Sequence, residues 1–188
     1  MVLSDRGIKE ALKKGYIKID PFDEKNLQPA SYDLHLDKQV LLFDRNNMSL
    51  LDPKEDSNRL MKKIDIPEDG LIIHPGEFML SNLVEVTGVD SSHIGRLEGK
   101  SSLARIGLLI HTTAGFLDPG NSLRLTLEMV NLSPLPIKLY PNMKIAQIAF
   151  ERMETPCERP YGSKELNSKY FGDMTVQGSK MHENFKKK

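Results

Sequence analysis

Residues 99–128 are the most informative part of this sequence and read GKSSLARIGLLIHTTAGFLDPGNSLRLTLE. Hydroxyl, arginine, aspartate and glutamate side chains alternate there with small residues and turn formers. The apolar residues between them indicate strands that are largely buried. Because a polar group in a protein interior has to be paired or has to serve a function, this stretch predicts a functional site built into a β-structure.

Composition limits the kind of protein this is. The chain has 188 residues, and its 26 basic and 26 acidic side chains give a formal net charge of zero. A neutral balance argues against nucleic acid as the partner, but a local pocket could still bind a small anion. The one cysteine, Cys157, excludes an internal disulfide and a four-cysteine zinc site, and we expect a reducing, cytoplasmic setting.

No segment predicts export or membrane insertion. Residues 1–6 lack the apolar core of a signal peptide. Apolar runs stay short of the roughly 18 residues that a spanning helix needs, so we expect no membrane partner. Without a linker or an internal repeat, we expect a single domain over 1–188, with a mobile tail from about residue 173.

The local patterns predict one short helix followed by β-structure. Ser4 as N-cap and Gly15 as stop frame an N-terminal helix, with Leu3 and Ile8 as its hydrophobic staple. Residues 102–106 could form one helical turn, and residues 44–62 are predicted as a loop. The remaining signal is alternating or apolar and is punctuated by glycine and proline, as in a sandwich or barrel. Strands are predicted at 16–20, 32–36, 40–43, 71–74, 78–87, 95–98, 108–112, 122–131, 137–140 and 145–152.

Glu128 lies on a strand with clear alternation. Leucine and methionine at 123, 125, 127 and 129 share one face, and Arg124, Thr126 and Glu128 share the other. If that second face meets water, Glu128 is only a surface carboxylate. Under low-dielectric walls it would instead suit proton shuttling. The pattern alone leaves both interpretations open.

The other polar residues of the stretch also have ordinary explanations. Ser101 and Arg105 are four residues apart and share one face of a helical turn, which could be only a capping serine and a surface arginine. Asp118, followed by Pro119 and Gly120, is first of all a turn signal. The Gly99-Lys100-Ser101 sequence lacks the spacing of a phosphate-binding loop, because Ile94 stands where that loop needs glycine.

Zinc chemistry of the common base-deaminase type is excluded by the motifs. Such enzymes carry H-x-E together with P-C-x-x-C. Here Pro156 and Cys157 are followed by Glu158, Arg159 and Pro160, and the H-x-E pattern is missing from the sequence. If this chain deaminates a base, it does so without protein-bound zinc.

Taken in order, the motifs resemble those of dCTP deaminases, a branch of the dUTPase superfamily. The likeness runs from residue 3 to about residue 172, which is nearly the whole chain. It rests on Ser4–Arg6, Gln28–Leu34, His74–Phe78, Gly99–Gly107, Thr113–Phe116, Asp118–Gly120, Leu127–Glu128, Pro134–Pro141, Ala146–Gln147 and Arg159–Gly162.

The resemblance implies a distorted β-barrel of jelly-roll type, a homotrimer with active sites between subunits, and hydrolytic deamination of dCTP with Mg²⁺ on the triphosphate. Glu128 would be the general base and acid. Ser101 and the carbonyl of Ala114 would hold the attacking water, Arg105 would stabilise charge, and Asp118 would face the deoxyribose 3′-hydroxyl. Further nucleotide contacts are implied at Lys100, Ser102, Thr126, Gln147, Tyr161 and Lys169.

The chain departs from the family pattern at two positions. Family members often have an aromatic residue where this chain has Asn121, and a glutamine where it has Asp173.

At Gly115 the chain resembles the family members that continue from dUTP to dUMP. Without a side chain it would leave room for a second water or a different loop path beside the phosphates. It could also merely satisfy a backbone angle. We therefore expect dUMP formation, with release of dUTP as the alternative.

Two other activities fit the resemblance less well. A pure dUTPase would carry a tyrosine after the aspartate turn and a glycine-rich C-terminal arm, which this chain lacks. A nucleotide sensor without catalysis is disfavoured because Ser101, Arg105 and Glu128 are intact. The resemblance also makes dTTP a candidate feedback inhibitor.

Overall fold

The computed structural model describes residues 1–44 and 50–186. Its first element is helix α1, Asp5–Lys14, which begins and ends where the sequence predicts. The Ser4 hydroxyl accepts the Gly7 N–H at 3.3 Å, and Gly15 adopts the left-handed conformation with φ of 73°. Ile8 and Ala11 are buried, so the helix packs one apolar face on the sheets.

The rest of the described chain is mainly β. Short 3-10 turns lie at Glu24–Asn26, Ser57–Leu60, Lys164–Leu166 and Met181–Phe185. The one-turn helix α2 spans Ser101–Ala104. The strands are β1 Ile17–Asp20, β2 Leu27–Gln28, β3 Ser31–Phe43, β4 Met61–Asp65, β5 Leu71–Ile73, β6 Phe78–Leu83, β7 Val86–Val89, β8 His93–Gly99, β9 Leu108–Leu109, β10 Phe116–Leu117, β11 Ser122–Leu123, β12 Thr126–Asn131, β13 Ile137–Leu139 and β14 Lys144–Arg152.

One large antiparallel sheet organises the molecule. Its strand order is β10-β8-β14-β3-β6-β12-β9, with β2 and β4 also paired to β3, and it curls into a half-barrel. Smaller sheets β1-β7-β11 and β13-β5 pack on it within the described residues. The core fills the inside of the curl, where Leu34, Leu97, Leu127, Met129 and Ile148 are all at most 1% exposed. This arrangement confirms the predicted mainly β fold with one short N-terminal helix.

The structure changes several of the predicted strand bounds. The predicted strand 78–87 divides into β6 and β7, and the predicted strand 108–112 is limited to β9. The segments 32–36 and 40–43 belong to the single strand β3, with a register irregularity between Leu36 and Val40. The predicted loop 44–62 instead contains a 3-10 turn and the start of β4, while residues 45–49 lie outside the described residues. The predicted strand 122–131 breaks at Arg124, because its backbone N–H donates to the carbonyl of Asp173 at 2.9 Å.

Two further expectations concern the chain as a whole. In the described ranges, no helix has both the length and the hydropathy needed to cross a membrane. The single domain over 1–188 and the mobile tail from about residue 173 stay predictions. Within that tail, Val176 is 5% exposed and packs with Leu41 and Leu80.

Candidate active site

A cavity of about 440 Å³ opens beside β12 and contains several of the predicted site residues. Strands β10 and β12 form one side, and the C-terminal segment forms the other. The predicted residues among its lining are Ala114, Asp118, Thr126, Glu128 and Tyr161. The lining also includes Phe43, Ser57, Met61, Phe78, Leu80, Phe116, Leu117, Asn121, Leu123, Leu125, Tyr170, Asp173, Gln177, Gly178 and Ser179.

The Glu128 carboxylate is held in this cavity by the loop before β10. Its Oε2 accepts the backbone N–H groups of Thr112 at 3.1 Å and Thr113 at 3.4 Å. Leu127 and Met129, its neighbours on β12, are fully buried on the opposite face. Glu128 is therefore a partly buried, oriented carboxylate in a cavity wall, and its role in proton shuttling stays a prediction.

Thr126 connects the cavity to the C-terminal segment through a buried amide. The Asn82 side chain, 1% exposed, points its nitrogen at Thr126 Oγ1, 3.1 Å away, and its oxygen at the Val176 N–H, 2.8 Å away. Sequence reasoning missed Asn82 because a single polar residue within an apolar strand gives no sign of its partner.

Asp118 is both a turn residue and part of the cavity wall. Its carbonyl accepts the Asn121 N–H at 3.2 Å, which closes the predicted turn. Gly120 has φ of 84°, and a Cβ there would lie 2.5 Å from the Pro160 side chain, so only glycine fits. Burial raises the pKa of the Asp118 carboxyl above its ordinary value.

Gly115 is held close against β8. Its carbonyl accepts the Leu97 N–H at 2.7 Å. A Cβ on this residue would lie 2.9 Å from the Leu97 carbonyl oxygen and 3.1 Å from the His111 ring. Without a side chain, Gly115 permits a close approach between the loop and β8. The predicted room for a second water or a different loop path, and the role of this glycine in setting the product, stay predictions.

The remaining predicted residues lie outside the cavity lining. Ser101, Ser102 and Arg105 are exposed on and after α2. Lys100 precedes that turn, and its ammonium group pairs with the Asp33 carboxylate. Gln147, on β14, donates to the Gly99 carbonyl at 3.3 Å.

Asp33 is a residue that sequence reasoning quoted in a motif but gave no role. Its side chain on β3 is 3% exposed and pairs with both Lys100 and Lys144, the second at 3.1 Å. Ser31 donates to Gln147 at 3.0 Å on the same stretch of sheet. An acidic residue at a buried strand position was the available signal, since such a charge is buried only when it is paired.

The two last predicted residues belong to the C-terminal segment. The Tyr161 hydroxyl accepts the Tyr170 N–H at 3.2 Å. Lys169 is partly buried, and its carbonyl accepts the Lys180 ammonium at 2.8 Å. Its ammonium group is not part of the cavity lining.

Comparison with known proteins shows the family to which this chain belongs. Residues 2–153 match a family described as dCTP deaminase-like. The chain belongs to this family. A relative from Corynebacterium jeikeium named "dCTP deaminase, dUMP-forming" is 47% identical over 98% of this chain and 99% of its own length. One of the same name from Corynebacterium kroppenstedtii is 45% identical over 99% and 100%.

A solved structure extends the likeness to three dimensions. The 2′-deoxycytidine 5′-triphosphate deaminase from Agrobacterium tumefaciens superposes with a TM-score of 0.63 at 20% identity. The match covers 81% of this chain and 48% of that one. It establishes a shared fold and agrees with the predicted mainly β architecture.

In this member of the dCTP deaminase-like family, acidic groups lie among apolar residues in the cavity wall. Among the described residues, three or more histidine, cysteine, aspartate or glutamate side chains nowhere meet in a way that could hold a metal ion. The cavity instead offers an oriented carboxylate, a second carboxylate with a raised pKa, and apolar walls. Those groups are what proton transfer to a bound heterocycle requires.

Proposed function

We propose that this chain is a dUMP-forming dCTP deaminase, which converts dCTP and two waters to dUMP, ammonia and pyrophosphate. The observation that carries the proposal is the Glu128 carboxylate, fixed by the Thr112 and Thr113 N–H groups in the wall of the cavity. The proposal is supported by relatives of this name that match nearly the full chain at 44–47% identity.

In the deamination step, Glu128 moves protons while water attacks C4 of cytosine. Both backbone N–H groups bind Oε2, so Oε1 takes the proton from water and delivers it to N3. The new C4–O bond gives a tetrahedral centre. Glu128 then takes the remaining proton from the new C4 hydroxyl and passes it to the amino nitrogen. The C4–N bond breaks as the C4=O bond forms, and ammonia leaves. The Ala114 carbonyl and the Ser101 hydroxyl hold the water, and Arg105 stabilises the developing charge.

The residues for this step come from two places in one protomer. Glu128 and Ala114 line the cavity, whereas Ser101 and Arg105 lie on the exposed α2 turn outside its lining. This separation supports a homotrimer in which α2 of one copy completes the cavity of another. Lys100, Ser102, Gln147 and Lys169 would then reach the nucleotide from outside the cavity, whereas Thr126 and Tyr161 contact it from within.

In the second step, water attacks the α-phosphorus of dUTP. A new P–O bond forms, the bond from the α-phosphorus to the bridging oxygen breaks, and pyrophosphate leaves. Asp118 faces the sugar and accepts the proton of this water. Mg²⁺ would enter as the counter-ion of the triphosphate, bound through the substrate.

A product analysis tests the proposal. The protein is incubated with dCTP and MgCl₂, nucleotides are separated by chromatography, and ammonia and pyrophosphate are quantified. We expect dUMP, ammonia and pyrophosphate in equal amounts. Accumulation of dUTP would indicate an enzyme that only deaminates. Hydrolysis of added dUTP with dCTP left unchanged would indicate a dUTPase, and binding of dCTP without turnover would indicate a nucleotide sensor. Adding dTTP tests feedback inhibition, and cell fractionation tests the cytoplasmic location.

A further inference from the structure

The segment 169–180 forms one wall of the cavity and is tied to the sheets at several points. Tyr170, Asp173 and residues 177–179 contribute to the lining. The Gly172 N–H donates to the Asn121 side chain at 3.2 Å, and the Gly178 N–H donates to the Asn58 side chain at 2.7 Å. This wall therefore depends on anchors that are distant in sequence.

Lys180 joins the two ends of this wall. Its ammonium group lies 3.0 Å from Asp173 Oδ2, 3.2 Å from Asp173 Oδ1 and 2.8 Å from the Lys169 carbonyl oxygen. Its backbone N–H donates to the Tyr170 hydroxyl at 3.0 Å, and its Nζ lies 5.2 Å from the centre of the Tyr170 ring. The Lys180 and Asp173 side chains are 19% and 16% exposed, so this ion pair is shielded from solvent far more than an ordinary surface pair.

The charges in the cavity make this pair important. The lining has three carboxylates, Asp118, Glu128 and Asp173, and none of the described residues that line it is a lysine or an arginine. The nearby Arg124 guanidinium is engaged elsewhere, with Asp37 at 3.0 Å. A triphosphate carries several negative charges at neutral pH, and unpaired like charges in a partly desolvated site are strongly unfavourable. Pairing Asp173 with Lys180 therefore lowers the repulsion that an anionic ligand meets in this cavity.

We propose that Lys180 is a specificity-determining positioning residue: by pairing with Asp173 it makes the cavity accept a nucleoside polyphosphate. The proposal rests on the proposed function and deepens it, since it concerns how the same cavity admits its anionic substrate. It also accounts for the acid at position 173, where an anion-binding wall would not be expected to carry a carboxylate. The pair fixes the Asp173 carboxylate in the wall and balances its charge with the Lys180 ammonium group.

The test compares a charged and an uncharged ligand that are not turned over. The probes are the Mg²⁺ complex of 2′-deoxyuridine 5′-(α,β-imido)triphosphate and 2′-deoxyuridine, each titrated calorimetrically into the full chain. For Lys180→Met we expect the affinity for the imidotriphosphate to fall about tenfold or more, because the negative charge of Asp173 is then unpaired and repels the phosphates. The affinity for deoxyuridine should change less than about twofold, and in dCTP turnover KM should rise with little change in kcat.

Further variants distinguish an effect of the lost charge from an effect on folding. Asp173→Asn in the Lys180→Met background removes the repelling charge and should restore most of the imidotriphosphate affinity. Lys180→Arg keeps the pair and should bind almost like wild type. Lys13→Met, on the exposed face of α1, removes the same formal charge away from the cavity and serves as the matched control.

Three results would overturn the proposal. The first is an equal loss of affinity for the imidotriphosphate and for deoxyuridine in Lys180→Met. The second is an unchanged affinity of Lys180→Met for the imidotriphosphate. The third is a double variant that binds the imidotriphosphate as weakly as Lys180→Met does. Failure of the proposed function would look different, because the wild-type chain would then leave dCTP unchanged in the product analysis.

Discussion

Replacing Glu128 by glutamine isolates its proton-transfer role. The carboxylate accepts two N–H groups on Oε2, and a glutamine oxygen can accept the same two at the same position. The amide nitrogen then replaces Oε1, which is the atom that we expect to carry the proton. The variant therefore keeps the shape and the anchoring of the loop and loses only the shuttle.

The expected loss of rate is that of proton transfer alone. General acid–base catalysis by one positioned group contributes roughly 10²–10⁴ in rate. That factor corresponds to about 3–5 kcal/mol of activation free energy. Because the cavity wall is otherwise unchanged, we expect the affinity for dCTP to change by less than about fivefold.

The assay is the release of ammonia from dCTP under single-turnover conditions, with dCTP binding measured by calorimetry. Glu68→Gln, on an exposed loop, is the matched control, since it makes the same chemical change away from the cavity. Wild-type turnover in Glu128→Gln would refute the assignment. A variant that no longer binds dCTP would show instead that Glu128 serves to build the cavity.

Four further predictions follow from the site and the family. Burial raises the pKa of Asp118, so the native state keeps this proton to a higher pH than the unfolded chain does. The free energy of unfolding of the wild type should therefore fall, relative to that of Asp118→Asn, as the pH rises from the ordinary pKa of 3.8 through the raised one. Urea titrations at several pH values measure this difference. Gly115→His should reduce dUTP hydrolysis more than deamination, and Gly115→Ala reports the effect of the close Cβ contacts with Leu97 and His111. Equal effects of Gly115→His on both reactions in the product analysis would contradict the assignment of this glycine. Chelation of Mg²⁺ should weaken turnover, and a zinc-selective chelator should leave it unchanged; stoichiometric zinc by metal analysis would contradict this. Light scattering should give the mass of a trimer at micromolar concentration, and a monomeric mass would count against shared sites.

The sequence alone was sufficient wherever neighbouring residues set the structure. Ser4 and Gly15 bound α1 because capping and the left-handed turn are local interactions. The alternation from Leu123 to Met129 placed Glu128 opposite the core because side chains in a strand alternate with a period of two. The ordered motifs then identified the family and, within it, the residues of one cavity wall.

Other features required the folded chain. Asn82 bridges Thr126 and Val176, and Lys180 joins Asp173 to Lys169; no local pattern marks either connection. The strand predicted at 122–131 breaks because the Arg124 N–H bonds to Asp173, a residue whose position depends on the whole C-terminal segment. The sequence also gave no reason to place Ser101 and Arg105 outside the cavity that contains Glu128.

The physical reason is the range of the interactions. Periodicity and caps report on residues a few positions apart, and those contacts form in the same way in any fold that contains the element. The pairing of Ser31 with Gln147 spans 116 residues, and that of Lys100 with Asp33 spans 67. Such contacts exist only after strands that are distant in sequence have paired in the sheet, so the composition of the candidate site depends on the strand order as well as on the residues themselves.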